Sequence, residues 1–462
     1  MNRTPLEEQV LARIRPTPGE REQIHNLGDR LIAAVNASGI AQGMLVGSIA
    51  RGTWIRGDLD LDVFLLFPPD TAREVLEKRG TALGREIAAG FGGTAQEKYA
   101  EHPYINASIE GVDVDLVPCY HIADAAHIQS AVDRTPFHTR FLLGRIDGFT
   151  DDVLLFKQFA KACGVYGSDH MTEGFSGYLC ELLVIRYGGF RPLLTAAASW
   201  RPGTHIDIVN HAGKKFDDPL VVIDPVDPNR NVAASLSLSR MYEFVEVARG
   251  YLKDPHEGYF TYPEQHALNR GDVAQILSAR GTRLIAVTFR TPPYIEDVVV
   301  PQLRKSTDAI RELAERNGFI INRTGCCMGK ETSILLFEFL VSELPPVKRH
   351  MGPPLWNPEN AEKFAKKYLA CNVTGPYIDE GRYWVEVKRN CTRAIDLFHS
   401  PELMVTTSLG KHVRQSMIEG MDILEGEECW KEEFAECFGE FFSMSSPLVR
   451  IERRRGSGTT SQ

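Results

Sequence analysis

Two acids on one apolar strand, Asp60 and Asp62, follow a Gly-Ser step in the stretch MLVGSIARGTWIRGDLDLDVFLLF from Met44 to Phe67. Side chains two apart on a strand share a face, so both carboxylates point the same way, roughly 6 to 7 Å apart along the strand. Such a pair can hold hard divalent cations. Two Mg²⁺ ions about 4 Å apart can activate an attacking hydroxyl and neutralise charge on a departing pyrophosphate. Upstream, Gly47 lets the backbone approach a phosphate closely, Ser48 offers a hydroxyl and an N–H, and Arg51 can fork onto triphosphate oxygens. Each piece alone describes a tight turn, a capping serine or a solvated arginine. Together they describe a site for metal-dependent nucleotidyl transfer. A third carboxylate should come from a neighbouring strand, and GVDVDLVPCY from Gly111 to Tyr120 offers Asp113 and Asp115 in phase. Periodicity does not choose between them. Asp58 is in phase as well, but beside Gly57 it suits a turn.

These residues need elements to carry them. Helical periodicity runs from about residue 1 to Gly39, and the Gly47 strand follows. Between 44 and 120 strands alternate with one helix, Thr71 to Phe91, ahead of strands at Tyr104 to Ile109 and Val112 to Pro118, so this part reads as α/β with acids at strand ends. Thr150-Asp-Asp starts a helix that Gly164 stops; Lys157 lies on it and Tyr166 just beyond it. FSGYLCELLVIRY from Phe175 begins another, and helices dominate to about Lys253. RLIAVTF from Arg283, a helix between Val300 and Asn317, a strand around Phe319 to Asn322 and SILLFEF at Ser333 to Phe339 have the order of a small ferredoxin-like or RRM-like sheet. The aromatic signature by which an RRM stacks bases is missing. Beyond Pro345, GRYWVEVKR reads as a strand and Gly410 to Leu424 as an amphipathic helix. The polar end, RRRGSGTTSQ, reads as disordered.

Composition bounds the class. A chain of 462 residues with 43% hydrophobic and 24% charged residues should form about three domains. Nine cysteines without regular spacing argue against a disulfide framework and for a reducing interior, and with no C-x-x-C pair structural zinc is not expected. The charged start MNRTPLEEQV and the lack of an apolar run of about 18 residues point to a cytoplasmic protein without a membrane segment. The net charge of −9 argues against indiscriminate nucleic-acid binding. Basic residues nevertheless cluster C-terminally, at Lys348, Arg349 and His350, at Lys363, Lys366 and Lys367, at Lys388, Arg389 and Arg393, and at Lys411 and Arg414. Each cluster alone is a solvated face; together, in a chain with this acidic site, they favour an RNA acceptor.

The Gly-Ser step and acid-apolar-acid strand match the signature of the polymerase-beta-like nucleotidyltransferase superfamily. VGSIARGTWIRGDLDLDVFLLFP, KYAEHPYI, GVDVDLVPCY, SAVDRTPFH, GFSGYLCELL, DPVDPNRNVAASLSL and the RHMGPP segment from Arg349 take the resemblance further, over nearly the whole chain. The chain resembles the archaeal-type, class I CCA-adding enzymes, tRNA nucleotidyltransferases that build or repair the 3′ CCA end. The resemblance implies template-independent addition of C, C and A from CTP and ATP with release of pyrophosphate. It implies Asp60, Asp62 and Asp115 as catalytic ligands of two Mg²⁺ ions, choosing Asp115 over Asp113. The first of the three is often glutamate in the family, and aspartate here shortens it by one methylene. Ser48 and Arg51 are implied to bind the triphosphate, His138, Lys157 and Tyr166 to contact the nucleotide, and Arg230 to help read the base, which suits an arginine facing a base edge.

The implied architecture is α/β and α+β, with a nucleotidyltransferase catalytic domain over residues 1–148 and a helical central domain over 149–257. A ferredoxin- or RRM-like body over 258–345, a tRNA-binding tail region over 346–450 and a disordered end over 451–462 follow. The tRNA acceptor arm should be recognised by duplex shape, 2′-hydroxyls and phosphates. Dimerisation is common among relatives, so a homodimer is compatible with the resemblance. A poly(A) polymerase or oligoadenylate synthetase would share Gly47, Ser48 and the acids but differ in product. A small-molecule adenylyltransferase would share only the first domain, and a non-catalytic RNA-binding protein on a dead transferase fold would have no need of all three carboxylates.

Overall fold

The computed structural model describes residues 3–99, 101–262, 266–370 and 373–457. The chain divides into two compact units, Met1–Pro263 with Ser445–Gln462, and Glu264–Met444.

In the first unit, Thr4 and Thr17 each accept a hydrogen bond from the amide of the glutamate three residues on, while that glutamate reaches back to the threonine amide. These capping boxes, each with proline next, launch α1 (Pro5–Ile14) and α2 (Pro18–Ala37). There follow β1 (Gln42–Leu45), α3 (Gly47–Arg51), β2 (Asp60–Phe67), α4 (Arg73–Gly90), β3 (Thr94–Tyr99), β4 (Pro103–Ile109) and β5 (Val112–Tyr120). The five strands form one sheet in the order β1-β2-β5-β4-β3, in which only β2 and β5 run parallel. Leu27 and Leu31 of α2 and Leu83 and Ile87 of α4 close one face over Leu61, Val63, Leu65, Val114 and Leu116. Asp60 and Asp62 alternate with Leu61 and Val63, so they stand on the opposite face.

A second core holds α5 (Arg134–Leu143), α6 (Thr150–Ala162), α7 (Gly177–Tyr187), α8 (Phe190–Ala197) and α9 (Leu238–Lys253), packed around Phe156, Phe159, Phe175, Phe190 and Phe244. Two features differ from the sequence expectation. Between α8 and α9 lies a three-stranded sheet, β6 (Thr204–Asp207), β7 (Leu220–Asp224) and β8 (Asp227–Asn231), where helix was expected to dominate. Its central strand LVVID is buried at every position, and so short an apolar run does not reveal its period. Val10 and Leu11 of α1 belong to this core and not to the sheet's, so the N-terminal helix packs outside the expected 1–148 body.

The second unit runs α10 (Arg270–Arg280), β9 (Arg283–Arg290), α11 (Glu296–Arg316), β10 (Ile320–Met328), β11 (Thr332–Val341), β12 (Val347–Pro354), α12 (Pro358–Tyr368), β13 (Thr374–Asp379) and β14 (Arg382–Lys388). It ends with α13 (Ala394–Phe398), α14 (Glu402–Val405), α15 (Lys411–Glu419), β15 (Met421–Glu425) and α16 (Ala435–Phe442). The helix expected to continue to Leu424 stops at Gly420, after which β15 becomes the edge of a wholly antiparallel sheet ordered β10-β11-β9-β15. Counting α11 and α15 as the crossovers, this is the ferredoxin-like order. Its last helix and strand come from beyond residue 345, and β12, β13 and β14 form a separate small sheet inserted before them. Ile285, Val287, Phe337 and Phe339 face one core, and Leu284, Ala286, Ile334 and Leu336 face another, so both faces are covered. α11 begins four residues before the expected Val300 and continues through Pro301. Cys327 is disulfide-bonded to Cys437, a link the cysteine spacing does not suggest.

The last helix, α17 (Pro447–Ser457), covers residues expected to be disordered, and its Ile451 is buried in the helical core of the first unit. Residues 458–462 lie outside the described residues. The expected disorder rests on the run of arginines, while Leu448 and Ile451, three apart, supply the apolar side that docks.

Gly80 and Gly84, one helical turn apart on α4, bring that helix close to the strands that carry the acids. A Cβ at Gly80 would lie 2.3 Å from Pro118 Cγ, and one at Gly84 would lie 2.9 Å from Ile105. Alanine gains about 1 kcal/mol of helix propensity, but a rigid proline ring cannot yield and overpacking costs about 1–3 kcal/mol. Gly80→Ala is therefore expected to lower the urea midpoint of the protein; an unchanged or raised midpoint would show that α4 is free to move off the sheet.

Candidate functional site

The acids meet through strand register. Asp62 of β2 stands opposite Asp115 of β5, and Asp60 opposite Asp113. On parallel neighbours, opposed side chains share a face, so four carboxylates stand together on the side of the sheet away from α2 and α4. Burial, with Asp115 and Asp60 adding repulsion, pushes the Asp62 carboxyl up to about 7, although Arg51 pulls it down. Asp60 is raised by burial and then by Asp58, Asp115 and Asp113. Asp115 is raised by burial too, against a hydrogen bond from Asn106 Nδ2 to its Oδ1 at 2.7 Å. Asp58 is paired with Lys161, as a turn residue would be, and Asp113 is exposed.

Gly47 is indispensable to this packing. Its φ is +72°, and a Cβ there would lie 2.0 Å from Asp62 Oδ2. The glycine thus makes room for a carboxylate as well as for the turn. Ser48 follows within α3, its carbonyl accepting from the Thr53 amide at 2.9 Å.

Among the described residues, no three His, Cys, Asp or Glu side chains converge as a ready-made metal cage. The donors nevertheless suit a hard cation: they are carboxylate oxygens that raise one another's proton affinity, against which Asn106 and the charges of Arg51, Lys98 and Lys161 act.

Opposite the acids stand cations, which α7 organises. Arg51 is buried, donating from Nε to Glu181 Oε1 at 3.0 Å and from Nη1 to Thr139 Oγ1 at 3.2 Å, with Nη2 2.9 Å from Glu181 Oε2. Taken alone its sequence position suggests a solvated arginine, whereas here its guanidinium is engaged by Glu181 and Thr139. Lys157 is buried on α6, donating to the Thr53 carbonyl at 2.9 Å with its Nζ 4.0 Å from Glu181 Oε1; burial lowers its proton affinity while Glu181 raises it. Gly177 opens α7, and a Cβ there would lie 3.1 Å from the Tyr166 hydroxyl and 3.6 Å from Lys157 Nζ. Tyr166 and Lys157 therefore converge over the first residue of α7. The Tyr166 ring also carries Lys161 Nζ at 5.0 Å from its centroid.

His138 and Arg230 meet on Asp224, which is fully buried at the end of β7. His138 Nε2 and Arg230 Nη1 each lie 2.8 Å from Asp224 Oδ2, and the Tyr178 hydroxyl donates to Oδ1 at 3.3 Å. His138 stacks on the Tyr178 ring with centroids 4.0 Å apart. Burial lowers the imidazole's proton affinity against the pull of Asp224, and Asp224, despite its own burial, is held below the usual carboxylate range by His138 and Arg230. Nε2 is the ring nitrogen that faces the Asp224 carboxylate. His102 is buried beside Pro103.

The structure thus brings Asp60, Asp62 and Asp115 to one face, Arg51 and Lys157 to Glu181, Tyr166 to Lys157, and His138 and Arg230 to Asp224. The sequence reading assigned no part to Tyr178 or Glu181. Both lie in GFSGYLCELL, three apart on α7, and a polar Glu181 inside the apolar run YLCELLVI is the one signal that could have marked it.

The basic clusters lie in the second unit. Lys348, Arg349 and His350 are on β12, Lys363, Lys366 and Lys367 on α12, and Lys388 ends β14, so these three groups share the small sheet and its helix. Arg349 lies over the Trp384 ring at 4.2 Å and pairs with Asp379. Arg389 donates to the Asn317 carbonyl at 2.7 Å. No helix among the described residues is long and apolar enough to cross a membrane.

Residues 30–138 match the nucleotidyltransferase domain family, residues 151–261 the second domain of tRNA nucleotidyltransferase, and residues 280–426 the C-terminal domain of the CCA-adding enzyme. The CCA-adding enzyme of Methanoregula boonei is 59% identical, covering 98% of each chain. That of Methanosarcina barkeri is 44% identical over 91% of this chain and 93% of its own, and that of Haloarcula marismortui 42% identical over 90% and 93%. Nucleotidyltransferases generally use divalent metal ions. With matches along the whole chain and relatives this similar end to end, the chain belongs to the archaeal CCA-adding enzymes, the tRNA nucleotidyltransferases that add CCA without a nucleic-acid template.

Proposed function

We propose that the face carrying Asp60, Asp62 and Asp115 is the transfer site at which the 3′ end of a tRNA acceptor arm is extended with CTP and then ATP, in the cytoplasm. The observation that carries this reading is the parallel register of Asp62 with Asp115, beside a Gly47 with no room for a side chain. Asp60, Asp62 and Asp115 would hold two Mg²⁺ ions, which when bound would supply activation of the terminal hydroxyl and neutralisation of the departing pyrophosphate. The protein's own groups do the rest. Asp60, Asp62 and Asp115 are arranged to exchange a proton for a cation, Asn106 keeps Asp115 aimed, and no side-chain general base is required. Ser48, Arg51, Lys157 and Tyr166 present donors and positive charge to the phosphates, and each such donor is worth about 3 kcal/mol of barrier. His138 and Arg230, held rigid by Asp224, face the nucleotide, Arg230 contributing to the choice of base. The basic residues on β12, α12 and β14 hold the RNA through its phosphates and duplex shape. A homodimer is compatible with this arrangement.

The direct test extends a tRNA lacking its CCA end and resolves products at single-nucleotide length. Two additions with CTP alone and a stop at three with both nucleotides are expected; an open-ended ladder of A would mean a poly(A) polymerase instead. Asp62→Ala should abolish extension while leaving tRNA affinity within about twofold, and normal extension by this variant would remove the assignment. Gly47→Ala, by displacing the Asp62 carboxylate, should lower kcat on the order of 100-fold, the scale expected of a misplacement of about 1 Å, with the KM for tRNA unchanged.

The raised carboxyls also set a pH dependence. A carboxyl whose proton affinity is higher folded than unfolded stabilises the fold at low pH, and that stability is lost as pH rises from the ordinary value of 3.8 through about 7 for Asp62. A divalent cation offsets the loss. The rise in Tm on adding Mg²⁺ should therefore be several degrees larger at pH 8 than at pH 5.5, measured by calorimetry, and should shrink in Asp62→Asn. Equal rises at both pH values would contradict a cation site on these acids.

A further inference from the structure

Glu181 takes no part in the transfer as described, yet it is fully buried and bound from three sides. Arg51 meets both of its oxygens, the Thr53 hydroxyl donates to Oε1, and Lys157 Nζ lies 4.0 Å from the same atom. Arg51 comes from α3 of the sheet domain, Lys157 from α6 and Glu181 from α7. A buried carboxylate is expensive to desolvate, and its attraction to a single cation repays that cost only with good geometry and further hydrogen bonds. Replacing such a cluster with apolar side chains would serve stability as well or better. The arrangement makes sense as a device for holding two cations together in a dry place where they would otherwise repel.

Resting on the reading of Arg51 and Lys157 as phosphate ligands, we infer that Glu181 is the positioning residue of the triphosphate site. It fixes the Arg51 guanidinium and the Lys157 ammonium at a set separation and leaves their combined charge one positive unit in excess for the β and γ phosphates. Two further contacts support this. Gly177, one turn before Glu181 on the same face of α7, is the residue over which Lys157 and the Tyr166 hydroxyl converge, so one helix edge aims all three groups. The Arg51 charge also reaches Asp62 and His138, depressing the proton affinity of both, which places the hub at the border between the acid face and the nucleotide pocket.

The consequence is specific to phosphate. Glu181→Gln keeps shape and an oxygen acceptor but removes the charge that balances Arg51 against Lys157. Binding measured by calorimetry with Mg²⁺ should show CTP weakened about tenfold, ATP weakened alike, inorganic pyrophosphate weakened as an inhibitor, and CMP and tRNA unchanged. A role confined to folding would weaken CTP and CMP together, and that result would overturn the inference, as would CTP binding equal to or tighter than that of the unaltered protein. Should Glu181→Gln fail to fold, Thr53→Val removes only the hydroxyl that donates to Oε1, and a loss of about threefold for CTP without loss for CMP is expected. No loss for CTP there counts against the inference. Arg51→Ala and Lys157→Met separate this from the site reading itself: if either keeps the normal ratio of CTP to CMP affinity, the assignment of the phosphate ligands fails. If both collapse that ratio while Glu181→Gln preserves it, only the role of Glu181 fails.

Discussion

Parallel pairing of β2 with β5 is the constraint from which the site follows. Had these strands run antiparallel, as every other neighbouring pair in this sheet does, Asp62 and Asp115 would pair only through a different register and a different connection. Parallel strands require a crossover, here supplied by α4 and the β3–β4 hairpin, and both must fit behind the acids without disturbing them. Gly80 and Gly84 provide that fit on one side of the sheet, and Gly47 provides it on the other. The outcome is a row of carboxylates that the protein neither hydrates fully nor neutralises.

The facing half of the unit has the opposite imbalance. Buried Glu181 holds Arg51 and Lys157 without cancelling them, buried Asp224 holds His138 and Arg230, and Lys161 pairs with the exposed Asp58. Neither half is at its electrostatic optimum alone. On the proposed reading, a metal-bound triphosphate would complete both, with cations against the acid row and phosphates against the basic cluster, so that binding energy would come from relieving costs already incurred in folding. This is the form that preorganisation takes in an active site, where the groups need not reorganise when charge develops. It also explains why the organising residues are buried acids on rigid elements: a carboxylate held by several donors keeps its geometry when substrate arrives and leaves.

What could be read from the sequence divides along physical lines. Asp60 and Asp62 were legible because strand period is two and the chain around them is apolar, and the choice of Asp115 over Asp113 came only from the family resemblance, since register is a property of two strands and not of one. The ferredoxin-like sheet was visible in its first three strands. Its fourth, Met421–Glu425, was hidden because an amphipathic helix runs into it, and only Gly420 marks the change. The buried sheet around LVVID was missed for want of length, α17 because its arginines outweigh Leu448 and Ile451, and the place of α1 because capping boxes report that a helix starts and say nothing of the core it joins. Arg51 was legible as a candidate phosphate ligand, but its burial was not, because the partner that buries it lies 130 residues away.

On the proposed reading of the small sheet as an RNA contact, charge also accounts for how an acidic chain can serve an RNA substrate. A net −9 spread evenly would repel a phosphate backbone at long range. The basic groups on β12, α12 and β14 instead share one small sheet, where the attraction acts within a Debye length of about 8 Å and the distant acids are screened. Arg349 is also tethered, stacked on Trp384 and paired with Asp379. Tethered cations give up less side-chain freedom on binding than free ones. On that reading, few contacts of this kind would make binding weak on any one phosphate and selective for a rigid duplex that meets all of them at once, which would suit an enzyme that must accept many tRNAs of one shape and release each after three additions.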